Sequence, residues 1–450
     1  MTPNRSLDVG ALIDRSKISR MQYGIFILAA LTFGLDGLDT QIIGYIAPSI
    51  LMAFHAPRSV LADVFSSGLI GLLAGSLASG PFADKYGRKL VIIASVALFG
   101  AFTLVSAYSS TIRELVIWRF VTGLGLGAAI PNVMALVSDY SPSQRRATVI
   151  MLVAAANAAG ATLGAVLAGQ LLPLFGWRAM FYFGGIAPLA LAVLLCFYLH
   201  ESLSWLIVRK RAPQRVEHLA ARIGGGSTGV QLVADSEPSV DYRTFLTQYM
   251  KAPKNIVNTL AVMCVYFSVM FELFFMSSWV TTVLVESGLP IKTAIHVSSL
   301  FQSGGFVGMV LIAFFAAGKD ITRLFMTMLV CACVAIVLTS LALHAPLGVV
   351  SSMLFITGFI LVPCLPGGSS IVGRTYPVAI RATAFGAAYA AGRLGSVFGP
   401  LFGQSLHGLG VSNETVFMLS ALPCLIAALA VAVVYRNTSR PENSFVPAVK

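Results

Sequence analysis

The sequence predicts an all-α polytopic membrane protein, with twelve transmembrane helices in two pseudo-symmetric six-helix halves. Three observations predict it: composition, the placement of charge and a long internal repeat. Hydrophobic residues make up 57% of the 450 residues and charged residues only 11%, against about 25% charged in an average soluble protein. One crossing of a bilayer needs roughly 20 apolar residues, so the length suits about a dozen crossings with short loops. The composition excludes a disordered chain, a coiled coil, a disulfide-stapled secreted domain and a soluble globular enzyme.

Apolar runs bounded by charge or turn residues fall at 23–51, 61–82, 90–109, 114–137, 148–172, 179–199, 256–285, 293–317, 324–343, 347–372, 383–406 and 415–435. Residues 1–22 are too polar, and the run that follows too long, for a cleaved signal peptide; they read as a cytoplasmic N-terminal segment. Residues 23–200 form the first six-helix bundle and 256–435 the second. Between them, 201–255 is a cytoplasmic linker with one or two amphipathic helices and a Gly224–Ser227 run, and 436–450 is a cytoplasmic tail. Of the 30 Lys and Arg, four fall in outside loops (Arg58, Arg113, Arg178, Lys292), Arg119 and Arg393 fall inside spans, and the other 24 are cytoplasmic. That asymmetry places both termini inside a cell membrane, the inner one in a bacterium. The net charge of +12 is therefore a topology signal with unspecific attraction to membrane lipid, and no basic patch of a nucleic-acid-binding domain is visible.

The repeat joins the halves. Arg146-Ala-Thr148 recurs as Arg381-Ala-Thr383, Gly160 as Gly395, Gly164 as Gly399 and Arg88 as Arg323, all at one offset, with Asp84 and Asp320 one residue beyond it. Transporters built from such repeats hold substrate near the bilayer midplane, between the halves.

The few charges left inside spans are the candidate site. Asp36 and Asp39 are three apart and share a helix face. A carboxylate in the bilayer is costly, about 2.5–3.5 kcal/mol on insertion scales, so the pair should face a polar cavity. Two nearby carboxylates do not ionise independently, which suits a proton carrier. Glu272 is a third intramembrane acid and reads as the repeat mate of Asp36, with Asn157 the mate of Arg393. Arg119 and Arg393 each need a buried anion, either an Asp of the protein or a substrate carboxylate, which a planar guanidinium grips bidentately. Gly123 and Gly127 beside Arg119 allow close helix packing. Phe271, Trp279, Gln302 and Tyr389 could line an aromatic and amide pocket, although in a chain with 29 Phe an aromatic alone is more often packing. The six Cys lie in apolar runs and the six His are scattered, a pattern of small apolar residues and isolated imidazoles with no metal spacing.

Gly80-Pro-Phe-Ala-Asp84-Lys-Tyr-Gly87-Arg88-Lys89 resembles the loop signature of the major facilitator superfamily. Together with Asp36-Gly-Leu-Asp39-Thr, Ile46-Ala-Pro48, Arg119–Gly127, Gly176-Trp-Arg178, Glu201-Ser202, Ser278-Trp279 and Gly392-Arg393, it resembles one branch, the aromatic acid:proton symporters. The resemblance covers nearly the whole chain. It implies a monomeric transporter, not an enzyme, that imports a small aromatic acid such as a hydroxybenzoate with protons, driven by the proton gradient without a cofactor. By that resemblance Asp84, Arg88, Asp139, Arg145, Arg146, Asp320 and Arg381 are gating residues of a cytoplasmic latch. Asp36, Asp39 and Glu272 serve proton coupling, and Arg119, Arg393, Asn157, Trp279, Gln302 and Tyr389 bind substrate. His200 and Leu203 flank Glu201-Ser202 where relatives carry Pro and Pro or Ala, Thr281 stands where many have Pro, and the second-half loop lacks its glycine. Two rivals remain on the sequence: a proton-coupled efflux antiporter of the same superfamily, and a membrane sensor of aromatic acids.

Overall fold

The computed structural model describes residues 6–209, 213–224, 231–233, 249–250, 252–315, 321–376 and 378–438. A short strand β1 (Ser6–Asp8) and helix α1 (Val9–Arg15) precede six long helices: α2 (Arg20–Phe54), α3 (Val60–Tyr86), α4 (Arg88–Ser106), α5 (Ile112–Tyr140), α6 (Arg146–Phe175) and α7 (Arg178–Tyr198). Linker helices α8 (Leu203–Val208) and α9 (Pro213–Gly224) follow, then strand β2 (Gln231–Val233), which pairs in parallel with β1. The second half comprises α10 (Pro253–Glu286), α11 (Ile291–Phe315), α12 (Ile321–Leu341), α13 (Leu347–Leu361), α14 (Cys364–Thr375), α15 (Val378–Gly408), α16 (Asn413–Ser420) and α17 (Leu422–Thr438). The pairs α13/α14 and α16/α17 are single crossings, broken where Pro363 and Pro423 cannot donate to the helix ladder.

The β1–β2 pair was not expected from the sequence; it lies outside the bundle. Eleven of the described crossings are long and apolar enough to span a membrane. The twelfth, α15, is absent from that set because its Gly, Ala, Ser and Arg393 dilute its hydropathy, yet it spans 31 residues and packs along α10 as α6 packs along α2.

Helix boundaries follow local chemistry. Ser19 and Gln22 form a reciprocal capping box that starts α2. Gly87, at φ +97°, turns the chain between α3 and α4 in a conformation that a side chain would strain. Within the first half α3 and α5 pack so closely that Cβ atoms at Gly123 and Gly127 would strike the backbone of Gly68 and Leu72. Between halves, α6 meets α11, α3 meets α15 and α2 meets α10. One core cluster runs through both halves. A second, at the linker end of the first half, takes in Leu203 and Leu206 of α8 and Val216, Leu219 and Ile223 of α9.

The contacts fix the correspondence between halves. Gly160 lies on Gly34 and Gly164 on Leu38, while Gly395 lies on Phe267 and Gly399 on Phe271. Glu272 therefore corresponds to Asp39 and not to Asp36, and Asn157 corresponds to Gly392 and not to Arg393. The sequence offset erred because α2 and α10 are displaced by two residues relative to the alignment of α6 with α15.

Candidate functional site

Close packing of α3 on α5 carries Arg119 into the first half, where it meets Asp39 of α2. Arg119 Nη2 donates to Asp39 Oδ2 at 2.9 Å and Nη1 to Oδ1 at 3.2 Å. Thr103 Oγ1 of α4 donates to Oδ1 at 2.7 Å. Asp39 is 0% and Arg119 4% exposed. This is a bidentate, hydrogen-bonded buried ion pair, and both of its charges are occupied within one half.

Asp36 lies one turn away, 5% exposed. Its Oδ2 accepts from Asn157 Nδ2 at 2.7 Å, and its Oδ1 has no partner among the described residues. Gly37 makes this possible, because any Cβ there would collide with the Asn157 backbone.

Arg393 of α15 acts on Asp36 electrostatically from the other half but forms no ion pair among the described residues. Its Nη2 donates to Tyr389 Oη at 2.7 Å and its guanidinium carbon sits 4.8 Å from that ring's centroid. Its Nε has no partner among the described residues, and the residue is 5% exposed. Tyr266 packs edge-on against both Tyr389 and Phe385, and the Tyr266 hydroxyl also has no partner among the described residues. An incompletely satisfied guanidinium beside three aromatic rings, facing a half-satisfied carboxylate, can bind a planar anion with an aromatic body.

The other candidates stand elsewhere. Gln302 and Gln41 both donate to Ser277 Oγ, at 3.1 and 2.8 Å, bridging the halves above the Asp36 level. Trp279 is fully buried and donates to Pro400 O at 3.1 Å. Its ring packs against Phe65 and His407 and lies 4.8 Å from the Arg58 guanidinium, so it belongs with the Arg58 contacts and not with the Arg393 group. Phe271 packs with Phe267 and Phe402. Glu272 is fully buried within the second half. Ser420 Oγ donates to its Oε1 at 3.1 Å, and its Oε2 has no partner among the described residues; it faces the helices bearing Cys333 and Cys424, away from Asp36.

At the end of the bundle that carries the linker helices, Arg88 pairs with Asp139, which also accepts from Ser202 Oγ. Glu201 accepts the amides of Arg88 and Lys89 at the start of α4, at 2.9 and 3.2 Å. Asp84 is exposed, and its backbone carbonyl accepts from Trp205 and Arg209. Arg145 and Arg146 are exposed. The amide and hydroxyl of nearby Ser143 donate to Asp14 of α1 and hold its carboxyl below the ordinary value of 3.8. Asp320 and the Arg381 side chain lie outside the described residues.

A further group escaped the sequence reading. Arg58, in the α2–α3 loop, pairs with Glu286 at 2.6 Å and lies 3.0 Å from His407 Nε2, while Gln404 donates to the Ser59 carbonyl at 2.6 Å. These contacts clamp the two halves together at the end of the bundle opposite the linker helices. Arg58 registered in the sequence only as a loop charge, and its partners lie more than 200 residues away. No group of three His, Cys, Asp or Glu able to hold a metal occurs among the described residues.

Two six-helix halves around paired and unpaired buried charges define a polytopic membrane transporter. The profile of the Major Facilitator Superfamily matches residues 29–365 and 323–450, and the chain belongs to that superfamily, in the branch of the aromatic-acid transporters. It is a transporter and not an enzyme. The 4-hydroxybenzoate transporter PcaK of Pseudomonas aeruginosa is 35% identical over 436 residues, covering 94% of this chain and 95% of that protein. A gallate transporter of Pseudomonas putida is 31% identical, covering 94% of each. Among solved structures, the partially occluded inward-open xylose transporter XylE from E. coli aligns with a TM-score of 0.73 at 19% identity, covering 91% of this chain and 97% of that one. That likeness is one of fold.

Proposed function

We propose that the protein imports a small aromatic carboxylate, hydroxybenzoate-like, together with protons, by alternating access. It works as a monomer in the inner membrane with both termini in the cytoplasm, and the proton gradient drives it without a cofactor. The observation that carries this reading is Arg393: buried, without a carboxylate in ion-pair range among the described residues, and set among Tyr389, Tyr266 and Phe385. Relatives named for 4-hydroxybenzoate and gallate support a ring bearing a carboxylate.

In this reading Asp36 carries the proton and Asp39 does not, because Asp39 is already held by Arg119 and Thr103. The site without substrate balances the Arg393 charge with the Asp36 carboxylate across the gap between halves. A bound substrate carboxylate takes over Arg393, and keeping one net charge out of the low-dielectric interior then requires a proton on Asp36. Substrate and proton thus enter together. The aromatic rings take the ring face and the guanidinium takes the carboxylate. Release on the inner side restores the Asp36–Arg393 attraction, which favours proton release as well.

The test is uptake of radiolabelled 4-hydroxybenzoate into proteoliposomes with an imposed pH gradient. Asp36→Asn should abolish accumulation against a concentration gradient yet keep counterflow exchange. Arg393→Gln should abolish both. Gradient-driven accumulation by Asp36→Asn at the parent level overturns the proton assignment.

A further inference from the structure

A second cleft lies at the inner end of the bundle, apart from the Arg393 site. It occupies about 720 Å³ between the start of α2, the end of α7 and α9, and its lining includes Arg20, Gly24, Ile27, Tyr198, His200 and Arg222. The chemistry of the lining is divided. Arg20, His200 and Arg222 belong to this lining, and among the described residues no carboxylate does. Gly24 and Ile27 follow one face of α2, and Ile27 and Tyr198 are 60% and 64% exposed on the outside of the bundle. Two walls of exposed apolar helix lead from a cationic rim towards the bilayer interior. Gly24 adds depth, since nothing lies within 4 Å of a Cβ placed there.

We propose that this cleft is a binding site for one anionic diacyl phospholipid of the inner leaflet. Its phosphodiester lies between Arg20 and Arg222 and its glycerol and upper acyl chains run over Gly24 and Ile27. Charge complementarity favours an anionic headgroup over a zwitterionic one. The apolar walls favour a lipid over a free anion, for which only the rim would be of use. His200 adds support. Burial, then the charges of Arg222 and Lys89, hold its imidazole below the ordinary 6.5, with His218 acting the same way and a backbone bond at Tyr198 opposing them. Its Nδ1 is buried without a partner among the described residues. A phosphodiester in the cleft supplies the opposite charge that this cluster lacks, so protonation of His200 and lipid binding reinforce each other and affinity rises as pH falls from 7.5 towards 5.5.

Native mass spectrometry of the full chain in a neutral detergent tests the site, titrating dioleoyl phosphatidylglycerol, dioleoyl phosphatidylcholine and inorganic phosphate. Phosphatidylglycerol should bind, and the other two should neither bind comparably nor compete. Arg20→Gln with Arg222→Gln should weaken binding roughly thirty-fold, from two interfacial cations, while Arg20→Lys with Arg222→Lys keeps most of it. Gly24→Trp leaves every charge in place and fills the cleft, so it should also weaken binding at least about ten-fold. Equal binding of phosphatidylcholine, displacement by inorganic phosphate, or parent-level binding by Gly24→Trp overturns the proposal. The last outcome would reduce the rim to unspecific surface attraction.

Discussion

Removing the Arg119 guanidinium should destabilise the protein more than it impairs substrate recognition. Asp39 is fully buried and Arg119 nearly so, and their two nitrogen–oxygen contacts are 2.9 and 3.2 Å. Arg119→Gln strands the Asp39 carboxylate with Thr103 as its remaining donor, and Asp39→Asn strands a guanidinium. Breaking one side of a buried, hydrogen-bonded pair costs about 3–5 kcal/mol. The double variant strands neither charge, because Asn and Gln can hydrogen-bond as neutral groups, so its cost should fall short of the sum by about 2–3 kcal/mol. Denaturant unfolding of the four proteins in mixed micelles gives the cycle, and uptake in proteoliposomes gives the function. The double variant should regain much of the stability and retain gradient-driven uptake. If Arg119→Gln unfolds within about 1 kcal/mol of the parent while KM for the aromatic acid rises sharply, Arg119 is a substrate ligand and the structural assignment fails.

Other perturbations follow from the same geometry. Arg58→Gln removes a half-exposed ion pair and a cation–π contact, together about 1 kcal/mol. That shifts the inward–outward balance roughly five-fold towards an open outer face, readable as faster labelling of a cysteine at Ser59→Cys; unchanged labelling would mean that the clamp is incidental. Glu201→Gln removes the anion that accepts two amides at the start of α4 and should cost about 1 kcal/mol, seen as a lower unfolding midpoint with KM unchanged. Asp14 is held below 3.8 by Ser143, so its clip is complete above that value and is lost as pH falls through the lower folded value. A nitroxide at Lys17→Cys should keep its mobility from pH 7 to 5 and loosen only below about 4, whereas Asp14→Ala should loosen it throughout.

How legible the site was in the sequence depended on how far each residue's partner lies. Asp36, Asp39, Arg119 and Arg393 stood out because an ionisable group in an apolar run has few structural excuses. Gly123 and Gly127 stood out by their spacing. Which Asp is ion-paired was not legible, since that depends on Thr103 and Arg119 arriving on α4 and α5. Trp279 misled, because an aromatic in an apolar helix carries no mark of the side it faces. The repeat offset pairs Glu272 with Asp36 because it carries no sign of the two-residue displacement of α2 against α10. The outer clamp was invisible because Arg58, Glu286 and His407 are ordinary loop and helix-end residues until the halves meet. The twelfth crossing was read as a span from its bounds, although its Gly and Ala content leaves it the least membrane-like by hydropathy.

The charges divide by whether their partners share a half. Arg119–Asp39, Arg88–Asp139 and His344–Glu414 are each closed within one half, so a rigid rotation of one half against the other leaves them intact. They determine the shape of each half and contribute nothing to the difference between states. Arg58–Glu286, Arg58–His407 and the Asp36–Arg393 attraction cross the divide, and their energies change when the halves move. A ligand shifts a conformational balance only through contacts that differ between the states. In the proposed reading, substrate and proton act on Arg393 and Asp36, the crossing pair that lies in the interior. The outer clamp answers from the far end: arginine only donates, so His407 Nε2 must accept and its ring must be neutral while that contact stands. A proton arriving from outside at His407 would set two cations against each other across the halves. The clamp is thus a contact between halves that protonation of one of its members breaks.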